Sequence, residues 1–236
     1  MCNEFSELYS TIFEDAKDQI DVVHNLNRKL EGLTSSYLAA KSEALPEDDI
    51  ISILKELEQS DFVSSHYPFS EKREGILFRL SDEYSLFYLQ FLGNNNSKDV
   101  RNWEDYTQTE RYKEWSEYAF QNLCLKHIPQ IKKAIGIGKA YSRTSNFYKK
   151  GTKIELLIDR ANGIISICEI KFSKTKLDFD SNMRAEMSRK LSTFQQETKT
   201  TQYLQRVIIT ALGIEHYKQW RGSIDKRVTL DDLFSN

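Results

Sequence analysis

The stretch Gly151 to Lys174, GTKIELLIDRANGIISICEIKFSK, sets carboxylates and lysines inside two apolar, β-branched runs. Ile154, Leu156 and Ile158 alternate with Glu155, Leu157 and Asp159, Asn162-Gly163 suits a type I′ turn, and Ile164, Ile165, Ile167, Ile170 and Phe172 form a returning run. The pattern predicts a β-hairpin. Glu169 and Lys171 stand two residues apart and project from one face of the returning strand, and Glu155 on the outgoing strand can approach that face. Two carboxylates and an ammonium then converge at a strand end. Such a set can hold Mg²⁺ or Mn²⁺ through carboxylate oxygens while the lysine positions a water or steadies a phosphate, the elements of metal-assisted phosphodiester hydrolysis.

Charge along the chain bears on that chemistry. The formal net charge is −2, yet acids outnumber bases from Met1 to Ser60, whereas Tyr118 to Ile154 holds Lys126, Lys132, Lys133, Lys139, Arg143, Lys149, Lys150 and Lys153 with no Asp or Glu. A one-signed stretch leading into a candidate phosphodiester site suits a nucleic-acid backbone, with Lys149, Lys150, Lys153 and Lys174 as the expected contacts. The competing reading is a solvated face whose balancing acids come from elsewhere in the fold. A length of 236 residues, 39% of them hydrophobic, suffices for one large domain or two small ones. The apolar runs are too short to span a bilayer, and MCNEFSEL lacks the basic start and apolar core of a signal peptide. Cys2, Cys124 and Cys168 are odd in number and widely spaced, which argues against a disulfide framework or zinc cluster, so a reducing cytoplasm is the expected setting.

The N-terminal part reads as helical. Apolar residues from Phe5 to Leu30 recur at three and four, predicting one long helix over 4–30 that Gly32 ends; Thr34 to Ala40 predicts a second helix, and Pro46 opens a third through Leu57. Strands are expected over 62–67 and 76–80, joined by the polar turn 71–75, and Asp82 suits the cap of a further helix. Three helices and a hairpin make a winged helix, assigned to 1–92. Its third helix carries Glu47, Asp48, Asp49, Glu56 and Glu58 against Lys55, a composition that repels phosphate and favours a docking role over DNA reading, with Lys72 and Arg73 at the wing tip as the opposing feature. The Asn-rich segment 93–109 reads as a linker. Beyond it, a helix over 110–133 with Pro129 as a break or kink, a strand over 140–148, the hairpin, a helix over 183–199 and a buried strand over 207–212 give the order α-β-β-β-α-β for a domain at 110–236.

The acid at Glu155 followed by Glu169-Ile170-Lys171 resembles the core motif of the PD-(D/E)XK nuclease superfamily, and the element order is that of the restriction-endonuclease core. LFRLSDEYSLFYLQF, YAFQNLCLKHIPQIKKA, KIELLIDRANGIISICEIKF and VTLDDLF also resemble the C-terminal half of a family of bacterial and archaeal AAA-type ATPases, in which a winged helix precedes a nuclease-like domain. The resemblance implies an α/β chain, winged helix plus restriction-endonuclease-like domain with a central mixed sheet. It implies a Mg²⁺- or Mn²⁺-dependent DNA phosphodiesterase with Glu155 and Glu169 on the metal and Lys171 positioning water or phosphate. The alternative is a degenerate module of the same fold that binds DNA or docks on an AAA-type ATPase partner, and either form could assemble as a homo-oligomer.

Two positions depart from the family pattern. Glu155 stands where the family has Asp, which moves the carboxylate out by one methylene, roughly 1.5 Å. Phe120-Gln121 replaces a Phe-Glu pair, so a helix-borne acid becomes an amide that can ligate a hard cation without adding charge; Glu117, one turn earlier, is the available substitute. No ATP site is expected, because Gly138-Lys139 is followed by Ala140 and Lys133 occupies the first glycine position of a phosphate loop. Cys168 and His127 are expected as packed or surface residues rather than nucleophile or ligand. Asp178 and Asp180 lack the glycine and final acid of a calcium loop. Lys174, Arg184, Arg189 and Lys190 are expected on a solvated face, with phosphate contact as the alternative.

Overall fold

The computed structural model describes residues 4–14, 16–42, 45–69, 75–93 and 103–235. It divides into two units, Met1–Trp115 and Ser116–Asn236. In the first, the apolar period expected of one long helix is carried by two, α1 (Glu4–Ile12) and α2 (Ala16–Asn27). The break lets each stripe turn inward on its own. Phe5 stacks on Tyr88 at 4.8 Å, and Tyr9 and Phe13 meet Phe62 at 4.7 and 5.8 Å, while α2 buries Val22, Val23 and Leu26.

Helix α2 ends at Asn27, short of the expected Leu30, and Gly32, five residues further on, instead lets the chain approach its neighbours closely. Its φ is +105°, and a Cβ there would lie 2.9 Å from Arg79 Cγ and 3.0 Å from the Phe78 carbonyl oxygen. That close approach lets Leu33 pair antiparallel with Phe78, each N–H donating to the other's carbonyl at 2.9 and 2.8 Å. Thr34 then caps α3 (Ser35–Lys41) by accepting from the Tyr37 N–H. Pro46 precedes α4 (Glu47–Gln59), which buries Ile50, Ile53, Leu54 and Leu57. Strands β1 (Val63–His66) and β2 (Leu77–Leu80) pair antiparallel, and the intervening Lys72 and Arg73 lie outside the described residues. Asp82 caps α5 (Glu83–Phe87), which passes into a π-helical turn, Tyr88–Leu92.

Of the expected linker 93–109, residues 94–102 lie outside the described residues, and Trp103–Tyr106 forms a short helix, α6, whose Trp103 and Tyr106 rings pack on Phe91 at 6.1 and 5.2 Å. Helix α7 runs Glu110–Lys126 and α8 runs Ile128–Ala134. The single helix expected over 110–133 is thus two, because Pro129 lacks the N–H that a continuing helix needs and sits instead in the first turn of a new one.

The second unit centres on five strands in the order β3-β4-β5-β6-β7. Strands β3 (Ser142–Lys149), β4 (Thr152–Arg160) and β5 (Ile164–Lys171) form an antiparallel meander; α9 (Ser181–Thr198) crosses over, so that β6 (Tyr203–Thr210) runs parallel to β5 and β7 (Lys226–Val228) parallel to β6. Helix α10 (Leu230–Phe234) follows, opened by a Thr229/Asp232 capping box. Even-numbered strand residues Leu156, Ile158, Cys168, Ile170, together with Val207 and Ile209, join Phe120, Cys124, Ile131 and Leu233 in one core. The β4–β5 loop corrects the expected turn. Arg160 pairs with Ile164, leaving Ala161, Asn162 and Gly163 as a three-residue loop with only Gly163 at positive φ, whereas a type I′ turn needs two such residues.

Among the described residues no helix is long and apolar enough to cross a membrane.

Candidate active site

A break in register at the middle of β4 positions the acids. Ser145 pairs with Leu157 but Phe147 pairs with Ile154, so Asn146 alone faces both Glu155 and Leu156. This is a β-bulge on β4, a device that re-aims the bulged side chains. On the other edge of β4, Leu156 pairs with Cys168, and one further step of that register opposes Glu155 to Glu169. Lys171 follows two residues later on the Glu169 side of β5. Three of the expected site residues are therefore neighbours, and all are withdrawn from solvent: the Glu155 and Glu169 side chains are 10% and 9% exposed, that of Lys171 31%.

Each carboxylate already faces an ammonium. Lys171 Nζ lies 3.5 Å from Glu169 Oε1, and Lys153 Nζ lies 3.6 Å from Glu155 Oε1. The shortest contact comes from α9, where Lys190 Nζ donates to Glu169 Oε2 at 2.6 Å and also approaches Glu186 at 3.4 Å. This corrects the expectation of a solvated Lys190. Its side chain is 8% exposed, because Lys190 falls in the inward stripe of α9 between the buried Met187 and Phe194. Arg189 likewise reaches the buried Thr152 hydroxyl, at 3.4 Å.

Burial pushes the Glu169 carboxyl above the ordinary carboxylate range, Lys190 pulls it back, and Glu155 adds to the rise. At Lys171 burial works against the ammonium, but Glu169, Glu186, Glu117 and Glu155 together outweigh it and raise its proton affinity. Lys171 is consequently an ammonium at neutral pH. As an ammonium it can bind a phosphate oxygen or orient a water.

The remaining expected residues divide. Glu117 on α7 contributes to the field at Lys171, while Gln121, one turn on, is half-buried and among the described residues has no hydrogen bond to Glu155 or Glu169. Lys149 and Lys150 are exposed but share Glu197 of α9, at 3.6 and 2.6 Å, and Arg143 approaches Asp159 at 3.7 Å. Part of the basic stretch thus draws its balancing acids from other elements. Lys153 serves Glu155, and Lys174 is exposed on the segment after β5. Cys124 and Cys168 are buried, with burial pushing the Cys124 thiol up to about 12 and Cys168 higher still, so neither is a nucleophile.

Among the described residues no three His, Cys, Asp or Glu converge to hold a metal ion. Two carboxylates are nevertheless the usual protein share of a Mg²⁺ site that completes itself with water and substrate phosphate, and Glu155 and Glu169 fit that share in donor type. Glu169 keeps lone pairs beyond the one Lys190 occupies. Comparison of the chain with models of known families, with curated proteins and with solved structures finds no match.

Proposed function

We propose that the second unit is a restriction-endonuclease-like domain of the PD-(D/E)XK type that hydrolyses phosphodiester bonds, with DNA as the substrate. The observation that carries this reading is the β4–β5 register, which one step beyond Leu156 and Cys168 opposes Glu155 to Glu169 with Lys171 beside them, within the order α-β-β-β-α-β. Glu155 and Glu169 would hold Mg²⁺ or Mn²⁺, which supplies an activated water and neutralises charge at the scissile phosphate. Lys171, 3.5 Å from Glu169, would fix a phosphate oxygen or the water. Lys190 orients Glu169 by a buried ion pair, and Lys174, with the exposed Lys149 and Lys150 that share Glu197, would offer positive charge to a backbone while Lys153 serves Glu155.

The test is cleavage of supercoiled plasmid and of short single- and double-stranded DNA with Mg²⁺ or Mn²⁺, comparing wild type with Glu169→Ala and Lys171→Ala. Wild-type cleavage reduced by about a hundredfold or more in both variants is the expected result. Cleavage that survives Glu169→Ala, or a folded wild type inert with both metals, refutes it.

A second reading is favoured by a specific observation. Gln121 is an amide where the resembled family has an acid, and Lys190 Nζ sits 2.6 Å from Glu169 Oε2, as in a site retired to structural use. In that case the domain is a binding module acting beside an AAA-type ATPase. The first unit suits such a role. Its order of helix, bridging Leu33, two helices and hairpin supports a winged helix, and the third helix of that motif, α4, begins with Glu47, Asp48 and Asp49. Such a helix repels a phosphate backbone and attracts a basic protein surface.

A further inference from the structure

The first unit contains an open groove of about 530 Å³ lined by the end of α1, the start of α2 and the second half of α4. Its apolar part is Ile12, Phe13 and Ile53, and its carboxylates are Glu14, Asp18 and Glu56. Ile12 is 47% exposed, unusual for an isoleucine at a helix end beside a buried Phe13. No Lys or Arg lines the groove, and among the described residues none of the three carboxylates has an ion-pair partner. Gln19, which also lines it, is 7% exposed; its Nε2 donates to Glu56 Oε2 at 2.8 Å, and its Oε1 accepts nothing among the described residues.

These features select the occupant. Three acids without a base call for positive charge, yet no three of the described acids, histidines or cysteines converge tightly enough for a metal ion. The matching cation is therefore one spread over an apolar stem. Lysine and arginine lay their methylenes on apolar surface while the charged head reaches carboxylates, which is the combination that the exposed Ile12, with Asp18 and Glu56 lining the same groove, provides. The exposed Ile12 asks in addition for an apolar neighbour on the same ligand. A cleft bounded by helices takes such a ligand most readily as an amphipathic helix.

We propose that this groove is a docking site for a basic amphipathic helix of a partner protein, whose Lys or Arg side chain enters between Asp18 and Glu56 while an adjacent apolar side chain covers Ile12. The site lies wholly in the first unit and does not depend on the nuclease reading of the second. It makes the acidic character of this unit an attractive surface rather than a bar to nucleic acid alone.

The experiment is fluorescence anisotropy on the full chain with a labelled helical peptide that presents lysines and leucines on one face, at physiological salt. Asp18→Lys is compared with Asp48→Lys. Both residues lie in the first turn of a helix, so the two variants change net charge and helix-dipole interaction alike, but only Asp18 lines the groove. Asp18→Lys is expected to weaken binding roughly tenfold and Ile12→Ser about fivefold, with Asp48→Lys within about twofold of wild type. Equal loss in Asp18→Lys and Asp48→Lys would reduce the effect to general charge and overturn the site. So would a wild type that fails to bind the peptide, an unaffected Ile12→Ser, or displacement of the peptide by spermidine at equal concentration, since the apolar contact would then contribute nothing. Circular dichroism of each variant separates loss of binding from loss of fold.

Discussion

Lys190→Met is the most informative single change in the second unit. The pair it breaks is 2.6 Å long, with side chains 8% and 9% exposed. At an effective dielectric constant near 20, two unit charges at that distance attract by about 6 kcal/mol, and the desolvation of two buried ions offsets much of this. Removing one partner, however, keeps the burial cost of the other. Lys190→Met leaves the Glu169 carboxylate with Lys171 alone at 3.5 Å, and the expected loss of stability is about 3–5 kcal/mol. The double change Lys190→Met with Glu169→Leu removes both charges at similar volume and is expected to lie within about 1–2 kcal/mol of wild type, so the two substitutions are strongly non-additive. The penalty also has a pH sign. Glu169 already titrates above its ordinary range, and an acid whose folded value is raised gains stability as pH falls through it, so the Lys190→Met defect should shrink on acidification. Urea unfolding at several pH values measures this, with Trp220 as reporter, since Trp103 and Trp115 belong to the first unit and can be replaced by Phe. A single variant costing under about 1 kcal/mol, or a double variant costing the sum of the singles, refutes a buried charge pair.

Two further outcomes concern the first unit. Burial, with Arg79 nearby, lowers His66 to about 3, against about 6.5 in an unfolded chain, so the unfolded state binds more protons between those values. Stability should therefore fall as pH drops below about 6.5, by up to about 1.4 kcal/mol per pH unit, and His66→Gln should flatten that slope in acid unfolding curves; an unchanged slope removes His66 as the cause. Gly32→Ala should cost about 1–3 kcal/mol in thermal unfolding, because φ is +105° and the new methyl meets Arg79 Cγ and the Phe78 carbonyl; a neutral substitution would mean that β2 yields there.

What could be read in the chain follows the range of the interactions involved. The hairpin over β4 and β5 shows as alternation, and Glu169 and Lys171 show as charges two apart within it, because strand faces are a local property. The bulge at Glu155 does not show. It is fixed by pairing with β3, and a single extra residue leaves no mark on an already irregular pattern of Leu156, Leu157 and Ile158. The three-residue loop was hidden for the same reason: Asn162-Gly163 suits either turn, and only the pairing of Arg160 with Ile164 chooses. Lys190 did leave a signal. It stands three residues after Met187 and four before Phe194, on the stripe that turns inward, and a lysine in such a stripe marks a buried acid to be paired. The separation of the first helix into one ending at Ile12 and one beginning at Ala16, and the three-residue β7, are settled by packing and by lengths too short for periodicity.

The same residues give a reason why a phosphodiester and a cation should arrive together in the proposed reaction. Around Lys171 stand four carboxylates, Glu169, Glu186, Glu117 and Glu155, against the ammoniums of Lys171, Lys190 and Lys153. The balance is one negative charge, and the raised proton affinity of Lys171 reports the same sign of field at its nitrogen. A bare phosphate approaching Lys171 therefore meets the buried carboxylates Glu155 and Glu169 together with the ammonium. A divalent cation held by Glu155 and Glu169 would reverse that sign and favour the phosphate. Nucleic-acid affinity at this site should accordingly rise when Mg²⁺ or Mn²⁺ is added, whereas contacts made by Lys149, Lys150 and Lys174 alone would weaken through ordinary screening.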